Sequence, residues 1–380
     1  MTKHYPAAEN GSPVHPGLPD DRREGIFLGR IETTDGPTPI LIRAGDVFDM
    51  SRVAPTVSAL IAAGARSGGE RMGSIEVLDN APILSPVDLQ CIKACGVTFA
   101  VSALERVIEE RARGDHTAAA EVRGKIEAAL GGSVRGTVPG SPEAGALKQA
   151  LIDEGMWSQY LEVAIGPDAE IFTKCPVLAA VGQGADIGVR SDSTWNNPEP
   201  EVVLIAGPDG KAVGATLGND VNLRDFEGRS ALLLGKAKDN NASCSLGPFI
   251  RLFDDGYTMD DVRSADVAMT ITGADGYVLE GHSTMRAISR DPEELLRQTM
   301  SEHQYPDGLA LFCGTLFAPT QDRDEPGRGF THKKGDVVAI SSVRLGTLIN
   351  RVTSSGDAPP WTFGIGELFT NLARRGLLPA

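Results

Sequence analysis

Two apolar runs joined by a Pro-Asp-Gly turn are the feature that most restricts how this chain can fold. The runs Val202–Ala206 and Lys211–Leu217 have the length of strands, and the turn between them predicts a hairpin. Glu199 and Glu201 stand at the head of the first strand, two residues apart, so their side chains project from one face. The hairpin returns Asp220 to the same end of the pair. The sequence therefore predicts that three carboxylates converge.

Converging carboxylates repel one another, and a folded protein tolerates them best around a cation. An all-oxygen set without His or Cys suits a hard ion, so we expect Mg²⁺, with Mn²⁺ as the alternative. A Glu-x-Glu pair by itself is more often a solvated face of a strand. The metal site therefore needs support from the surrounding sequence.

Composition and motifs exclude several classes of function. The net charge of −15 and the absence of a basic cluster argue against a nucleic-acid partner. No apolar run approaches the length of a membrane span, and the cysteines lack C-x-x-C spacing, so we expect a cytoplasmic protein with free thiols. No G-x-S-x-G, H-E-x-x-H or P-loop motif is present, which sets aside serine hydrolases and zinc hydrolases.

The order of elements predicts three parts. Residues 1–24 are expected to be a mobile N-terminal arm, residues 25–86 a small β domain, and residues 87–380 a catalytic domain. In the β domain, alternating apolar runs and Asp-Gly turns predict a meander over Gly25–Asp49. Residues 112–155 form an Ala-, Glu- and Gly-rich insertion, which is either a lid over the site or an inert excursion.

Several further elements follow from apolar periodicity and from capping residues. The predicted helices are Val57–Gly64, Ala103–Glu110, Thr117–Leu130, Ala144–Glu154, one opened by Arg290-Asp291-Pro292, and Gly364–Arg375. A hairpin is predicted over Asp336–Arg351. Together with the strands, these elements predict an α+β fold that is mostly β.

The run from Phe172 to Phe249 carries the elements FTK, PEPE, GNDVNLRD and K-x7-LGP, and CGT, KKGDVV and LGTLINRV follow downstream. From about Leu89 to the C-terminus, the chain resembles the fumarylacetoacetate hydrolase superfamily. The resemblance implies a mixed β-roll of that type with peripheral helices, preceded by a small β domain. It also implies that the Glu-x-Glu pair and the Asp of the Asn-Asp element bind a divalent metal; here these residues are Glu199, Glu201 and Asp220.

The chain departs from the hydrolases of this superfamily at one catalytic position. Those hydrolases carry N-Y-x-x-H-x-x-E, whose His and Glu activate water. Here residues 98–105 read TFAVSALE, so Glu105 is kept and Ser102 stands at the histidine position. A serine hydroxyl without a neighbouring base does not deprotonate water near neutral pH, which disfavours hydrolysis. Glu105 remains a candidate base or proton relay.

The resemblance also assigns residues to the substrate. The hydrolases use an Arg, a Gln and a Lys to hold the substrate and the developing oxyanion. Arg224 and Lys238 match two of them, while Glu227 replaces the Gln, which exchanges an amide for a group that can transfer protons. The remaining matched substrate-binding positions are Lys174, Gly314 and Thr315.

Longer strings, such as WNNPEPEVVL and GNDVNLRDFEGRSALLL, resemble the sugar-acid dehydratases within the superfamily. The implied reaction is Mg²⁺-dependent dehydration of a 2-keto-3-deoxy-pentonate to 2,5-dioxopentanoate in pentose catabolism. Lys238, Glu227 and Glu105 are candidates for the base and the acid, and their roles stay open. The alternatives are a hydrolase that cleaves a C–C bond of a 2,4-diketo-3-deoxy sugar acid and a catalytically silent scaffold. The resemblance further implies a homodimer or a dimer of dimers that binds a small 2-keto acid.

Overall fold

The structure, a computed structural model, describes residues 17–79, 81–119, 123–124, 136–325 and 329–378. Most of the predicted arm and part of the predicted helix over Thr117–Leu130 lie outside the described residues. Mixed sheets with peripheral helices make up the described part, which confirms the predicted α+β class. None of the described helices is both long enough and apolar enough to span a membrane.

The largest sheet runs in the order β4-β3-β2-β1-β13-β11-β10-β16-β6-β7, with β5 paired to β1. Its pairs are antiparallel except β16 with β6, which are parallel. The strands are β1 (Ile26–Thr33), β2 (Gly36–Arg43), β3 (Asp46–Asp49), β4 (Glu70–Ser74), β5 (Ile83–Leu84), β6 (Cys91–Gly96), β7 (Glu170–Cys175), β10 (Pro200–Ala206), β11 (Ala212–Asp220), β13 (Cys244–Leu252) and β16 (Leu309–Phe312).

A second sheet has the order β15-β14-β17-β18-β8, and a short pair joins β12 to β9. These strands are β8 (Asp186–Val189), β9 (Asn196–Asn197), β12 (Asn222–Leu223), β14 (Asp266–Thr272), β15 (Val278–Thr284), β17 (Val337–Ser342) and β18 (Gly346–Ser354). The β17–β18 pair confirms the hairpin predicted over Asp336–Arg351.

Nine α-helices lie wholly within the described residues: α1 (Val57–Ala62), α2 (Ala100–Arg111), α3 (Pro142–Asp153), α4 (Gln159–Ile165), α5 (Arg224–Glu227), α6 (Leu234–Lys238), α7 (Met259–Arg263), α8 (Pro292–Met300) and α9 (Ile365–Arg374). Five predicted helices are confirmed by α1, α2, α3, α8 and α9. Asp291 caps α8 and Pro292 opens it, as predicted from their order.

Strand β10 lies at the centre of the molecule, and both of its faces are buried. Val202 and Leu204 belong to the apolar cluster that includes strands of the second sheet. Val203 and Ile205 point the other way, into a cluster with residues of β13 and β16. Such two-sided burial explains why the run is apolar throughout and does not alternate with polar residues.

The N-terminal meander forms as predicted from β1, β2 and β3. It is not a separate sheet, because β1 pairs with β13 through Phe27 opposite Arg251 and Leu28 opposite Ile250. The division of the chain near Pro86 therefore stays a prediction, and the meander extends the same sheet that carries the carboxylates.

Candidate active site

The β10–β11 hairpin brings the three predicted carboxylates together. Pro200 lies opposite Asn219, and the backbone N–H of Asp220 donates to the carbonyl of Glu199 at 3.0 Å. The side chain of Asn219 accepts the N–H of Glu199, also at 3.0 Å, which holds the chain before β10 in register. One carboxylate oxygen from each of Glu199, Glu201 and Asp220 lies within 4.8 Å of the others, and all three residues are buried.

Two lysines compensate the charge of Asp220. The Nζ of Lys174 lies 2.7 Å from Oδ1, and the Nζ of Lys238 lies 3.0 Å from Oδ2. Burial alone would raise the pKa of Asp220, but the charges of Lys174 and Lys238 outweigh it and lower that pKa. Lys238 also donates to Glu199. For Lys238, the attraction of Asp220 and Glu199 overcomes burial and raises the pKa, so the ammonium stays charged.

Glu201 has a different environment from the other two carboxylates. It accepts the backbone N–H of Gly314 at 2.7 Å and the hydroxyl of Thr315 at 3.2 Å. No Lys or Arg of the described chain forms an ion pair with it. Burial, followed by the charges of Asp220 and Glu199, raises the pKa of Glu201 well above its ordinary value. Glu201 is therefore the carboxyl that would gain most from an added cation.

The donor set fits a hard divalent metal. It consists of carboxylate oxygens alone, without imidazole or thiolate. Among the residues that the structure describes, seven carboxylates surround the pocket and five cations pair with them, so two negative charges remain in this described set when all are ionised. The carboxylates are Glu105, Glu109, Glu170, Glu199, Glu201, Asp220 and Glu227, and the cations are Arg106, Arg123, Arg224, Lys174 and Lys238. One divalent ion would balance them.

Helix α2 supplies the wall opposite the hairpin. Ser102 donates its hydroxyl to the carbonyl of Thr315 at 2.7 Å, so the hydroxyl at the histidine position is bound to backbone. Glu105 pairs with Arg123, at 2.9 Å from Nη2 to Oε2, and with Arg224 at 3.3 Å. Burial opposes ionisation of Glu105, but the hydrogen bond from Arg123 and the charge of Arg224 lower its pKa. Glu105 is therefore held as a carboxylate.

Arg106 is a central residue of the site that the sequence analysis missed. Its guanidinium lies 2.6 Å from Glu199, 2.6 Å from Glu109 and 2.9 Å from Glu227. These carboxylates, led by Glu109, outweigh burial and raise the pKa of Arg106. The available signal was its spacing of three residues from Glu109 on α2. That spacing resembles an ordinary surface ion pair of a helix, so it did not single out Arg106.

Glu170 is a second residue that the sequence analysis missed. It lies on β7 at the same parity as Phe172 and Lys174, so the three side chains share one face of the strand. Glu170 and Phe172 line the pocket. Burial, then the charge of Glu227, raises the pKa of Glu170 to about 7. Its period-two relation to Lys174 was the signal in the sequence.

These residues enclose a cavity of about 430 Å³, counting its open mouth. Of the predicted site residues, the following line it: Ser102, Glu105, Glu199, Asp220, Glu227, Lys238 and Thr315. The remaining four, Lys174, Glu201, Arg224 and Gly314, contact these or each other from behind. The structure thus brings the predicted set together. The individual roles in catalysis and substrate binding stay predictions.

Similar proteins were found in three comparisons. A family profile described as Fumarylacetoacetate (FAA) hydrolase C-terminal matches residues 158–353. The chain is 33% identical over 186 residues to a "2-dehydro-3-deoxy-D-arabinonate dehydratase" of Saccharolobus solfataricus. This alignment covers 48% of this chain and 58% of that protein. It is 32% identical over 203 residues to a "Probable 2-keto-3-deoxyxylonate dehydratase" of Haloferax volcanii. This second alignment covers 53% of this chain and 66% of that protein. The matched region thus spans less than two thirds of both relatives.

Among solved structures, a 2-keto-3-deoxy-D-arabinonate dehydratase complexed with magnesium and 2,5-dioxopentanoate superposes with a TM-score of 0.60 at 23% identity. The superposition covers 87% of this chain and 98% of that chain. The apo form of a dehydratase with the same name gives a TM-score of 0.61 at 22% identity, with the same coverage. This likeness confirms the predicted fold. Because the family profile covers half of the chain and the fold agrees with it, the protein belongs to the fumarylacetoacetate hydrolase family.

Proposed function

We propose that the protein is a Mg²⁺-dependent hydro-lyase that dehydrates a 2-keto-3-deoxy-pentonate to 2,5-dioxopentanoate. The observation that carries the proposal is a pocket with the buried triad and Lys238 at its base and no histidine among the described residues that line it. The names of both relatives and the product bound in the similar structure agree with this reaction.

Glu199, Glu201 and Asp220 would hold the metal. Bound there, a divalent cation would act as a Lewis acid toward the keto and carboxylate oxygens of the substrate. The protein's own residues then have to move protons in two stages. In the first, one proton is taken from C3 and one is given to the departing C4 hydroxyl, so that one water leaves and a C3=C4 enone remains. In the second, a proton is taken from C5 and one is returned to C3, which converts the enone through its enol to the C5 aldehyde.

Among the acidic side chains of the pocket, Glu170 is the most suitable proton carrier. Its pKa of about 7 lets it accept and donate protons near neutral pH, whereas Glu105 is held ionised by Arg123 and Arg224. Glu227 lines the pocket and lies 2.9 Å from Arg106, and its carboxyl remains a candidate for the base. Lys238, kept charged by Asp220 and Glu199, is placed to stabilise negative charge that develops on the substrate.

A direct assay separates this reaction from its main alternative, C–C hydrolysis of a 2,4-diketo acid. The purified protein is incubated with 2-keto-3-deoxy-pentonates and with 2,4-diketo acids, each with Mg²⁺ and with EDTA. We expect 2,5-dioxopentanoate from the first class only, and only with metal. Release of pyruvate from a diketo acid at a comparable kcat/KM would refute the proposal, and no turnover of either class would support a silent scaffold.

Variants at the two departures from the hydrolases test the same point. The paired change Ser102→His with Glu227→Gln restores the hydrolase residues at both positions, and we expect it to suppress dehydration. Glu227→Gln alone should also reduce dehydration, because the amide cannot exchange protons. Wild-type dehydration by Glu227→Gln would remove Glu227 from the mechanism.

The proposal also includes a cytoplasmic location and a small 2-keto acid as the ligand. All five cysteines are free thiols in the structure, four of them buried. Such thiols are expected of a protein that works in a reducing compartment.

A further inference from the structure

Glu109 is a buried acidic residue of the pocket for which the proposed reaction has no role. It lies on α2, one helical turn after Glu105, and is 1% exposed. It lines the same pocket as Glu227, which lies on α5. We call Glu109 and Glu227 the acid pair. Burial of two carboxyls at one site costs free energy unless their charges are compensated, so the groups around them decide what the acid pair does.

The two members of the acid pair approach the same nitrogen atom. The Nη1 of Arg106 lies 2.6 Å from Oε2 of Glu109 and 2.9 Å from Oε2 of Glu227. Nη1 donates a hydrogen bond to Glu109, whereas the buried Oε2 of Glu227 accepts none from the described residues. One nitrogen is thus shared by two carboxyls. A proton on either carboxyl removes one of the two charges and, because a protonated carboxyl can donate, adds a hydrogen-bond donor.

The cations near the acid pair are shared with other carboxylates. Arg106 also lies 2.6 Å from Glu199. Arg224, whose Nε lies 3.4 Å from Oε1 of Glu109, also lies 3.3 Å from Glu105. Both arginines are therefore only partly available to the acid pair. Burial raises the pKa of Glu109 despite both arginines, and the negative charge of the other member of the pair adds to the rise.

Three further titratable groups face the acid pair from other elements. They are Lys238 of α6, Glu170 of β7 and Tyr160 of α4. Lys238 favours ionisation of the pair, and Glu170 opposes it when Glu170 is itself ionised. Tyr160 stays neutral, because burial raises its pKa. With one cation and one anion on the outside, the competition between the two carboxyls themselves decides their protonation.

We propose that Glu109 takes part in the reaction by sharing one proton with Glu227, so that the acid pair is a second proton carrier beside Glu170. The inference rests on the proposed dehydration, in which each of two stages takes one proton and gives one. Glu109 acts through Glu227, and it sets how readily that residue gives and takes a proton.

The protons balance over the two stages. In the first stage, Glu170 takes the proton from C3 and the bond between C4 and its hydroxyl breaks. The proton of the acid pair passes through Glu227 to this hydroxyl, which leaves as water. In the second stage, the acid pair takes the proton from C5, and Glu170 returns its proton to C3. Each carrier ends in the state in which it began.

The pH dependence of kcat tests the shared proton. In Glu109→Gln, the remaining carboxyl has no second anion beside it, so it should release its proton at lower pH. We expect the alkaline decline of kcat to move down by about one pH unit, which lowers kcat about tenfold at pH 8, with less than about a threefold change in KM. Glu109→Asp keeps a carboxyl at this position and should restore most of the lost kcat. An alkaline decline that stays at its wild-type pH in Glu109→Gln would overturn the shared proton.

Glu110→Gln is the matched control. Glu110 is the next residue of α2 and binds the start of α4, where it accepts hydrogen bonds from Ser158 at 2.5 Å and from Gln159 at 3.1 Å. This change removes the same charge from the same helix, and it should leave kcat and its pH dependence as in the wild type. If Glu109 had a purely structural role, its replacement would lower stability or kcat without moving the alkaline decline.

A measurement without substrate separates this inference from the proposed function. In EDTA, the slope of the free energy of unfolding against pH gives the difference in bound protons between the folded and the unfolded protein. The wild type loses stability as the pH rises through the raised pKa of Glu109, so it should bind more protons when folded than Glu109→Gln. We expect a difference of up to about one proton between pH 5 and pH 8, and the same difference for Glu227→Gln.

The outcomes of the two measurements are distinct. Parallel curves of stability against pH for the wild type and both variants would overturn the inference. If the wild type dehydrates no 2-keto-3-deoxy-pentonate while the curves differ by about one proton, the proposed reaction fails and the shared proton is supported. Dehydration by the wild type with an unmoved alkaline decline in Glu109→Gln means that the reaction holds and that Glu109 has no part in it.

Discussion

Replacing Arg106 by methionine should destabilise the protein strongly, because the guanidinium is the shared partner of three buried carboxylates. Arg106 is 8% exposed, and Glu109, Glu199 and Glu227 are each at most 3% exposed. Methionine keeps much of the aliphatic stem but leaves these carboxylates short of a cation. Breaking a buried ion pair costs about 3–5 kcal/mol. At roughly 2–4 °C for each kcal/mol, the melting temperature should fall by about 6–20 °C.

The dependence on pH identifies the cause. Glu109 already has a raised pKa because of burial, and loss of Arg106 should raise it further. A carboxyl with a folded-state pKa above its unfolded value contributes stability that is present at low pH and lost as the pH rises through the folded value. The deficit of Arg106→Met should therefore be largest near pH 8 and shrink toward pH 5.

Thermal unfolding followed by circular dichroism, in EDTA and across this range of pH, measures both effects. Arg111→Met is the matched control, since Arg111 is exposed in the last turn of the same helix. It should stay within about 0.5 kcal/mol of the wild type, as surface substitutions usually do. Arg106→Lys keeps the positive charge but not the planar guanidinium with its several donors. Its melting temperature should therefore lie between those of Arg106→Met and Arg111→Met. A melting temperature of Arg106→Met equal to that of the control at pH 8 would refute the buried network.

Three further predictions concern the carboxylates and the lysine. Glu201→Gln should abolish the rise in melting temperature caused by Mg²⁺. In EDTA it should melt at or above the wild-type temperature, because burial and the charges of Asp220 and Glu199 raise the pKa of Glu201 and no described Lys or Arg forms an ion pair with it. A retained Mg²⁺ response would remove Glu201 from the metal site. Lys238→Met should lower kcat by about a hundredfold with little change in KM, and a change in KM alone would make Lys238 a binding residue. Between pH 5 and pH 8 in EDTA, the free energy of unfolding of Glu170→Gln should rise by up to about 3 kcal/mol relative to that of the wild type. The reason is that the wild type loses stability as the pH rises through the raised pKa of Glu170, about 7. Parallel curves of stability against pH would contradict this.

The hairpin that carries the three carboxylates could be predicted because its information is local. Glu199, Glu201 and Asp220 are separated by one turn, and a strand-turn-strand unit fixes both the pairing and the direction of its side chains. The resemblance to the family then pointed to Lys174, Arg224, Glu227 and Lys238, and the structure gathers them around the hairpin. The number and the negative charge of the three carboxylates also indicated a cation site before any contact was known.

Glu170 and Arg106 could not be predicted with the same reasoning. Glu170 gave a period-two signal on β7, but its raised pKa depends on burial and on Glu227, which is 57 positions away in the chain. Arg106 gave only a helical spacing, and its contact with Glu199 spans 93 positions. Spacing along one element shows which side chains share a face, but not what that face meets.

The sequence by itself determined the strands, the capped helices and the carboxylate pair, because strand period, turn residues and helix caps act within a few residues. Only the tertiary structure decided that β16 lies parallel to β6 and that α2 faces the hairpin. It also decided which of the three carboxylates forms no ion pair with a described Lys or Arg, namely Glu201. The physical reason is that electrostatic energies depend on burial and on distances between elements remote in the chain, and these distances exist only once the sheets have packed.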